Sequence, residues 1–392
     1  MLKNRNIIIF GEDWGRFPST TQHIGKVLLK FNRIMWVGSL AHRKPNFSIK
    51  DFVRILEKLR GIVTFNKKDN LVFRSNAPLQ IHPFIIPFHD SKTIRKINER
   101  ILTRTISKAI KRYDFFNPVL ITSSPLIGNI LGKIGETSSH YFCLDDYLHF
   151  DGAFKSLLEL EKEMLTKIST CFAVSELLVD SKKTKSGRNY FLPQGVLIEH
   201  FTKSKEKIPL ELRSLKKPVI GFFGLISEWI DLELIVFSAK KLPNFTFLVI
   251  GKPSVNTSIF NQASNIKFIG EIPFNELPNF ASVFDVGIIP FKINELTIAC
   301  NPLKLLEYLS LGIPVVSVNL PEVRKFKSHV GIADNYDDFV NQIKMAVQKD
   351  TEQKRKERLS VAEKYSWESI TQNICEKILF IEKNKNYIEL QN

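Results

Sequence analysis

The stretch Asn301-Pro302-Leu303-Lys304-Leu305-Leu306-Glu307-Tyr308-Leu309-Ser310-Leu311-Gly312-Ile313-Pro314-Val315-Val316 decides how the rest of the chain is read. Asn301 suits a helix N-cap, Pro302 the first helical position and Gly312 the left-handed residue past the end, so the pattern predicts a helix over 302–311. A β-branched run from Pro314 to Val318 follows at once and reads as a buried strand. Helix leading straight into buried strand is half of a parallel βαβ unit.

The same alternation extends outward in both directions. In the second half the predicted strands are Val219–Phe223, Phe245–Ile250, Ile266–Ile269, Val286–Ile289 and Pro314–Val318, with helices near 228–241, 275–282, 302–311 and 336–348. In the first half they are Asn6–Phe10, Ile34–Val37, Val119–Thr122, Tyr141–Leu144, Cys171–Val174 and Tyr190–Leu192, with helices near 20–31, 49–59, 92–112, 126–134 and 154–168. Two further helices, 351–364 and 367–382, break near Tyr365-Ser366 and have no strand after them, so they must pack on something already formed. The expected fold class is therefore α/β, with two Rossmann-like doubly wound domains and C-terminal helices packing back toward the first. The expected division is 1–205, 206–365 and a returning helix from 366 to 392, with the charged, aperiodic stretch 202–217 as linker.

Composition supports an ordinary globular chain. There are 392 residues, 44% of them hydrophobic, and 56 Lys and Arg against 40 Asp and Glu leave a formal charge of +16. That excludes disordered and low-complexity classes and favours anionic partners such as nucleotides, phospholipid surfaces or nucleic acid, although surface lysines kept for solubility give the same total. Cys143, Cys171, Cys300 and Cys375 stand singly, with no C-x-x-C pair, so they read as small core residues in a reducing cytosol rather than a zinc site or disulfide framework. The apolar start at Ile7 meets Glu12 and Asp13 too soon for a signal peptide, and no run reaches the roughly 18–20 apolar residues of a membrane span.

Lys304 breaks a local rule. It falls in the first turn of its helix, where the macrodipole disfavours a cation by about 0.3–1 kcal/mol. An anion held at the helix N-terminus would remove the conflict, since exposed N–H groups and the ammonium would share it, and a diphosphate fits. Glu307, one turn deeper on the same face, could accept hydrogen bonds from a ribose diol; the plainer reading is an i, i+3 ion pair with Lys304. Two loops lie at the same sheet edge. Gly224-Leu225-Ile226-Ser227-Glu228-Trp229 ends one strand, with Ser227 placed to cap the helix that carries Asp231, and Gly251-Lys252-Pro253-Ser254 ends the next.

Taken in order, Gly221-Phe222-Phe223-Gly224, Glu228-Trp229-Ile230-Asp231, Phe268-Ile269-Gly270, Glu276-Leu277-Pro278, Phe284-Asp285-Val286-Gly287-Ile288-Ile289-Pro290-Phe291 and the 301–316 block resemble the C-terminal half of GT-B glycosyltransferases of the "glycosyl transferases group 1" type. Within that type the block is similar to bacterial cell-surface polysaccharide and teichuronic-acid-type enzymes. The likeness spans most of 217–325. Leu192-Pro193-Gln194-Gly195-Val196 resembles the segment those enzymes place before their hinge, with Gln194 where Asn is common.

The resemblance implies two domains facing across a cleft, a nucleotide-sugar donor on the second, and a glycan or lipid-linked acceptor on the first. On that footing Lys304 faces the diphosphate, Glu307 the ribose, and Gly224, Lys252 and Asn301 complete the donor site. It implies no metal and no other cofactor, because members of this type neutralise the leaving diphosphate with helix dipoles and cations. Many retaining members carry a Glu eight positions before the one matching Glu307; this chain has Ala299, which leaves the stereochemistry open. An inverting transfer would need a base at the first domain's ligand edge, where Asp13, Asp145, Asp146 and His23 are the candidates. Each also has a structural reading, as a cap, a loop turn or a core histidine. A nucleotide-sugar epimerase of the same fold, or a non-catalytic nucleotide-sugar or polysaccharide binder, are the alternatives.

Residues 92–112 carry eight Lys and Arg against one Glu, with Ile94, Ile97, Ile101 and Ala109 or Ile110 at helical spacing. Such a helix either packs its isoleucines on the sheet with its charges solvated or rests on an anionic membrane surface, and both can hold together. The expected location is cytoplasmic, with the inner membrane face as the peripheral option. The basic residues spread over several helices with no accompanying nucleic-acid module, so nucleic acid is not expected as a partner.

Overall fold

In a computed structural model, which describes residues 1–15, 18–40, 77–146, 154–202 and 208–389, two parallel sheets carry the chain. The chain divides into Met1–Pro193 with Trp367–Asn392 as one unit and Gln194–Ser366 as the other.

The first unit holds seven strands in the order β3-β2-β1-β4-β5-β6-β7. They are β1 Asn6–Phe10, β2 Arg33–Val37, β3 Leu79–Ile81, β4 Val119–Thr122, β5 Ser138–Cys143, β6 Thr170–Ala173 and β7 Asn189–Phe191. The second holds six, β10-β9-β8-β11-β12-β13: β8 Val219–Phe223, β9 Thr246–Ile250, β10 Ile266–Phe268, β11 Val286–Ile289, β12 Val315–Val318 and β13 Val330–Ala333. Every ladder is parallel, and both sheets reverse their strand order beside the first strand of the unit, at β1/β4 and β8/β11. All-parallel strands are covered on both faces, which is why runs such as Ile7-Ile8-Ile9-Phe10 can be apolar throughout and fully buried.

The doubly wound α/β reading holds, with local corrections. Strands β3 and β13 were not expected: one is three residues long and the other is interrupted by Gly331. The helix expected at 126–134 is only a short 3-10 turn, Pro125–Ile127, because Gly132 and Gly135 take positive φ. The helix expected at 49–59 lies outside the described residues. The helix expected from 228 starts at Leu232, capped by the Asp231 carboxylate, which accepts the Leu234 N–H at 2.9 Å. Ser227 instead donates to Glu228 at 3.0 Å. The helix after β11 runs Leu303–Leu311 with Pro302, not Asn301, at the cap, and it ends as read at Gly312, φ 73°.

The basic helix Lys92–Tyr113 is rotated from the expected face. Its buried ridge is Asn98, Leu102, Ile106 and Ile110, with Ala109 beside it, while Ile97 is 39% exposed. Asn98 sets this rotation: its side chain accepts the Ile86 N–H at 2.9 Å and donates to the Ile86 carbonyl at 2.8 Å, so an amide occupies a core position at no hydrogen-bonding cost.

Of the two C-terminal helices only Trp367–Glu389 joins the first unit. Trp367 stacks on His23 of the Thr20–Leu29 helix, ring centroids 4.9 Å apart, and Glu382 accepts from Nη2 of Arg5 with both carboxylate oxygens (2.8 and 2.7 Å) and from the Ser138 hydroxyl. The preceding helix, Glu352–Glu363, stays in the second unit, where Arg358 donates to the Gly312 carbonyl at 2.8 and 3.0 Å and pairs with Asp350. Among the described residues no helix is long and apolar enough to cross a membrane.

Tyr308 ties the Leu303–Leu311 helix to the sheet. Its ring lies on bare backbone, since a Cβ on Gly287 would fall 2.6 Å from the ring. Its hydroxyl accepts the Phe223 N–H at 3.2 Å and reaches the Ile288 carbonyl at 3.4 Å, and burial pushes its pKa up. Tyr308→Phe should therefore leave a buried N–H without a partner and lower unfolding free energy by about 1–3 kcal/mol in urea titration. Unchanged stability would show that the hydroxyl does not carry this link.

Candidate functional site

In the second unit the switch between β8 and β11 brings together the end of β8, the end of β9 and the start of the Leu303–Leu311 helix. Ligands of open α/β sheets bind at such a point, outside the carboxyl ends of the strands. Here the backbone is unusually bare. Gly224 has φ 133° and Gly251 φ 156°, conformations that side chains resist. A Cβ on Gly251 would fall 1.7 Å from the Gly224 carbonyl oxygen, and one on Gly224 would fall 2.3 Å from Cε and 2.6 Å from Nζ of Lys304. The two loops are tied through Gly224 N–H to Ile250 O at 2.9 Å.

Lys304 thus reaches from the first turn of its helix across the naked end of β8. Its Nζ stands 5.4 Å from the ring centroid of Phe222 and 5.7 Å from that of Phe291, within cation–π range of both. The expected i, i+3 ion pair with Glu307 does not form. Among the described residues neither side chain makes an ion pair or a hydrogen bond. Both residues are half-buried, and burial acts on each: it lowers the Lys304 pKa, with Glu307 pulling it back up, and it pushes the Glu307 carboxyl up to about 7 against the opposing pull of Lys304. A cation in the first helical turn, short of water and of carboxylate contact, is an arrangement an anion would complete.

The other residues expected at the donor site lie on neighbouring segments. Asn301 is buried just ahead of the helix. Lys252 lies on the loop after β9, its carbonyl accepting the Ile226 N–H at 3.0 Å and its exposed head 3.6 Å from Glu271. Ala299 is buried at the end of the short helix Glu295–Ile298, so the position lacking a carboxylate lies inside the protein. Sequence reasoning missed the hydroxyl chain Ser254–Ser227–Glu228, linked at 3.0 Å each, and the Phe222 and Phe291 walls. Phe291 stands two residues past the end of β11, which is the one signal that could have found it.

In the first unit the three aspartates lie at the ends of β1 and β5 in unlike surroundings. Asp13 accepts the Ser39 N–H at 3.0 Å, which fixes the chain leaving β2. Asp146 is buried and takes Lys182 at 3.2 Å; Lys182 also binds Glu161 at 2.7 Å, and Glu161 accepts the Tyr141 hydroxyl at 2.7 Å. Burial would lower the Lys182 pKa, but Glu161 and, more weakly, Asp146 bring it above the ordinary value. Asp145 is half-buried, and its side chain makes no hydrogen bond among the described residues; burial first, then Asp146, push its carboxyl up to about 7. His23 is buried against Trp367. Among the described residues no group of three or more His, Cys, Asp or Glu is placed to hold a metal ion.

Residues 217–349 match the family described as Glycosyl transferases group 1. The chain is similar to the teichuronic acid biosynthesis glycosyltransferase TuaH of Bacillus subtilis, 32% identical over 153 residues, which is 37% of this chain and 38% of that protein's own length. Among solved structures, Anabaena HepE in complex with UDP and glucose has a TM-score of 0.67 at 13% identity, covering 95% of this chain and 98% of that one. Sucrose-phosphate synthase from Thermosynechococcus elongatus also has 0.67, at 14% identity over 96% and 99%. At these identities the solved structures establish the fold.

The contact between Gly224 and Lys304 can be tested without any ligand. Gly224→Ala should cost about 1–3 kcal/mol from its backbone conformation and should push Lys304 aside as well. Lys304→Ala on top of it should recover part of the loss, giving a double-mutant cycle short of additivity. Additive melting data would show that the lysine does not lie on Gly224.

Proposed function

We propose that the chain is a GT-B glycosyltransferase of the group 1 type and transfers a sugar from a nucleotide-diphosphate-sugar, most simply a UDP-sugar, to a glycan or lipid-linked acceptor in cytoplasmic steps of cell-surface polysaccharide assembly. One observation carries the reading: Lys304, half-buried and without a carboxylate contact, lies on the bare end of β8 at the start of a helix. The donor's diphosphate would take the anion position at the helix N-terminus, and Gly224 would let it approach the backbone. Glu307, one turn along, would hold the ribose hydroxyls, with Asn301 and Lys252 beside the site.

The chemistry follows from that placement. As the bond between the sugar and the diphosphate breaks, negative charge grows on the leaving oxygen, where Lys304 and the helix N–H groups already supply positive field. A divalent ion is then unnecessary, and transfer should survive EDTA. For an inverting displacement we assign the base to Asp145. A carboxyl near 7 takes the acceptor's hydroxyl proton efficiently at neutral pH. Asp13 and Asp146 would hold the loops after β2 and β5. The UDP in the HepE complex supports the donor class, and the name of TuaH supports the polysaccharide setting.

Lys304→Ala should weaken UDP binding at least about tenfold by calorimetry, equal to some 1.4 kcal/mol, while leaving the ligand-free melting temperature in place. Equal affinity in the variant, or activity lost in EDTA and restored by magnesium, would overturn the site.

Glu307 gives a pH signature. Because its carboxyl is raised to about 7, it is largely protonated at pH 6 and ionised at pH 8, and the ionised form accepts from both ribose hydroxyls by stronger, charge-assisted bonds. Affinity for a UDP-sugar, whose diphosphate does not titrate in this range, should rise from pH 6 to pH 8. Glu307→Gln should flatten that rise. The same shift makes the apo protein bind more protons folded than unfolded between the ordinary carboxylate value and 7, so this group's contribution to stability falls as pH rises through that window. A pH-independent wild-type affinity would remove Glu307 from the ribose.

A further inference from the structure

The helix Lys92–Tyr113 carries two ridges with the same four-residue step. One is buried: Asn98, Leu102, Ile106, Ile110. The other is exposed: Lys96, Arg100, Arg104 and Lys108, extended at its ends by Lys92 and Arg112. Each of the four central cations precedes a buried residue by two positions, about 200° around a helix of 3.6 residues per turn, so the two ridges remain opposite along the whole length. The helix spans about 33 Å at 1.5 Å per residue. Among the described residues none of these six cations makes an ion pair. The single acid of the helix, Glu99, is engaged by Lys133.

Large apolar side chains stand out of the same region. Ile97 is 39% exposed beside Lys96; Phe88, whose carbonyl accepts the Ser91 N–H at the helix start, is 44% exposed; Phe116, just past the left-handed stop at Asp114, is 54% exposed. Solubility alone asks for charge but not for exposed Phe and Ile beside it. A row of cations with an exposed isoleucine beside it, and an exposed phenylalanine a few residues off each end of the helix, fits a surface that offers negative phosphates at its face and hydrocarbon just beneath. Duplex nucleic acid offers the first without the second.

We propose that the exposed ridge of the Lys92–Tyr113 helix, with Phe88, Ile97 and Phe116, is a docking surface for an anionic lipid bilayer. The cations lie against the headgroups and the apolar tips enter the interface. The contact is peripheral and reversible, and it is independent of the donor site in the second unit.

Co-sedimentation of the full chain tests this directly. It should pellet with phosphatidylcholine vesicles containing about 30% phosphatidylglycerol at about 50 mM salt, stay in solution with pure phosphatidylcholine, and be released at about 500 mM salt, where charges farther apart than a few ångströms are screened. Reversing Lys96, Arg100, Arg104 and Lys108 to Glu should cut partitioning by at least about a hundredfold, each cation being worth roughly fivefold at such a surface. Ile97→Ser with Phe88→Ser should weaken it while preserving its salt dependence. A control with the same charge change, Lys344, Lys349, Lys354 and Lys356 to Glu in the second unit, should bind as wild type. Melting curves of all four proteins confirm that they are folded, and UDP affinity should be the same in each. The proposal is overturned by equal binding to neutral and anionic vesicles, by no binding to either, by equal loss in the control, or by salt-sensitive binding to duplex DNA without binding to vesicles.

Discussion

A lysine ammonium without a carboxylate contact, held against bare backbone, is the constraint around which the second unit is arranged. Lys304 can lie on β8 only because Gly224 has no side chain, and Gly224 can sit there only because Gly251 leaves room for its carbonyl. The lysine is held in place by the helix Leu303–Leu311, which Tyr308 pins to β8 and β11 and which Gly312 and Arg358 close at the far end. Each of these residues has an ordinary structural explanation except the lysine. Burial pulls against its charge and so does the helix dipole, the Phe222 and Phe291 rings and the pull of Glu307 act the other way, and an anion at the helix start would add to them.

The first unit follows a different electrostatic logic at the same sheet edge. Its buried charges are paired: Lys182 answers Asp146 and Glu161, and Tyr141 completes the set. A buried ion cluster of this kind adds little net stability but fixes geometry, because removing one partner strands the rest. Asp145, next in the chain to a residue so fixed, keeps a side chain without a hydrogen-bond partner among the described residues and a carboxyl near 7. One unit thus holds a cation short of an anion, and the other a carboxylate poised between its two protonation states.

Much of the fold was legible in the sequence, for a definite reason. Val119–Thr122, Val219–Phe223 and Val286–Ile289 occur with the bounds the sequence suggests, because central parallel strands must be apolar on both faces. Leu79–Ile81, only three residues long, and Val330–Ala333, interrupted by Gly331, went unseen, although the other two edge strands, Asn189–Phe191 and Ile266–Phe268, were read close to their places. The face of the basic helix was misread because Asn98, a polar residue, takes a core position by bonding Ile86, which no hydrophobic pattern reveals. Of the candidate site, Lys304 stood out because it violated a local rule, and Glu307 followed by helical spacing. The Phe222 and Phe291 walls and the Lys182 cluster join residues far apart in sequence, so their geometry waits on the fold.

The central claim is that the Lys304 ammonium is the seat of an anion, and its own titration measures this most directly. In protein labelled on the lysine side chain, the Lys304 resonance, assigned by its loss in Lys304→Arg, should titrate below the ordinary lysine value in the free protein. Saturation with UDP should move that midpoint upward, because a diphosphate at the helix N-terminus favours the charged form. A midpoint that is the same with and without saturating UDP would mean that the nucleotide, if it binds, binds elsewhere, and the account of the site would fall.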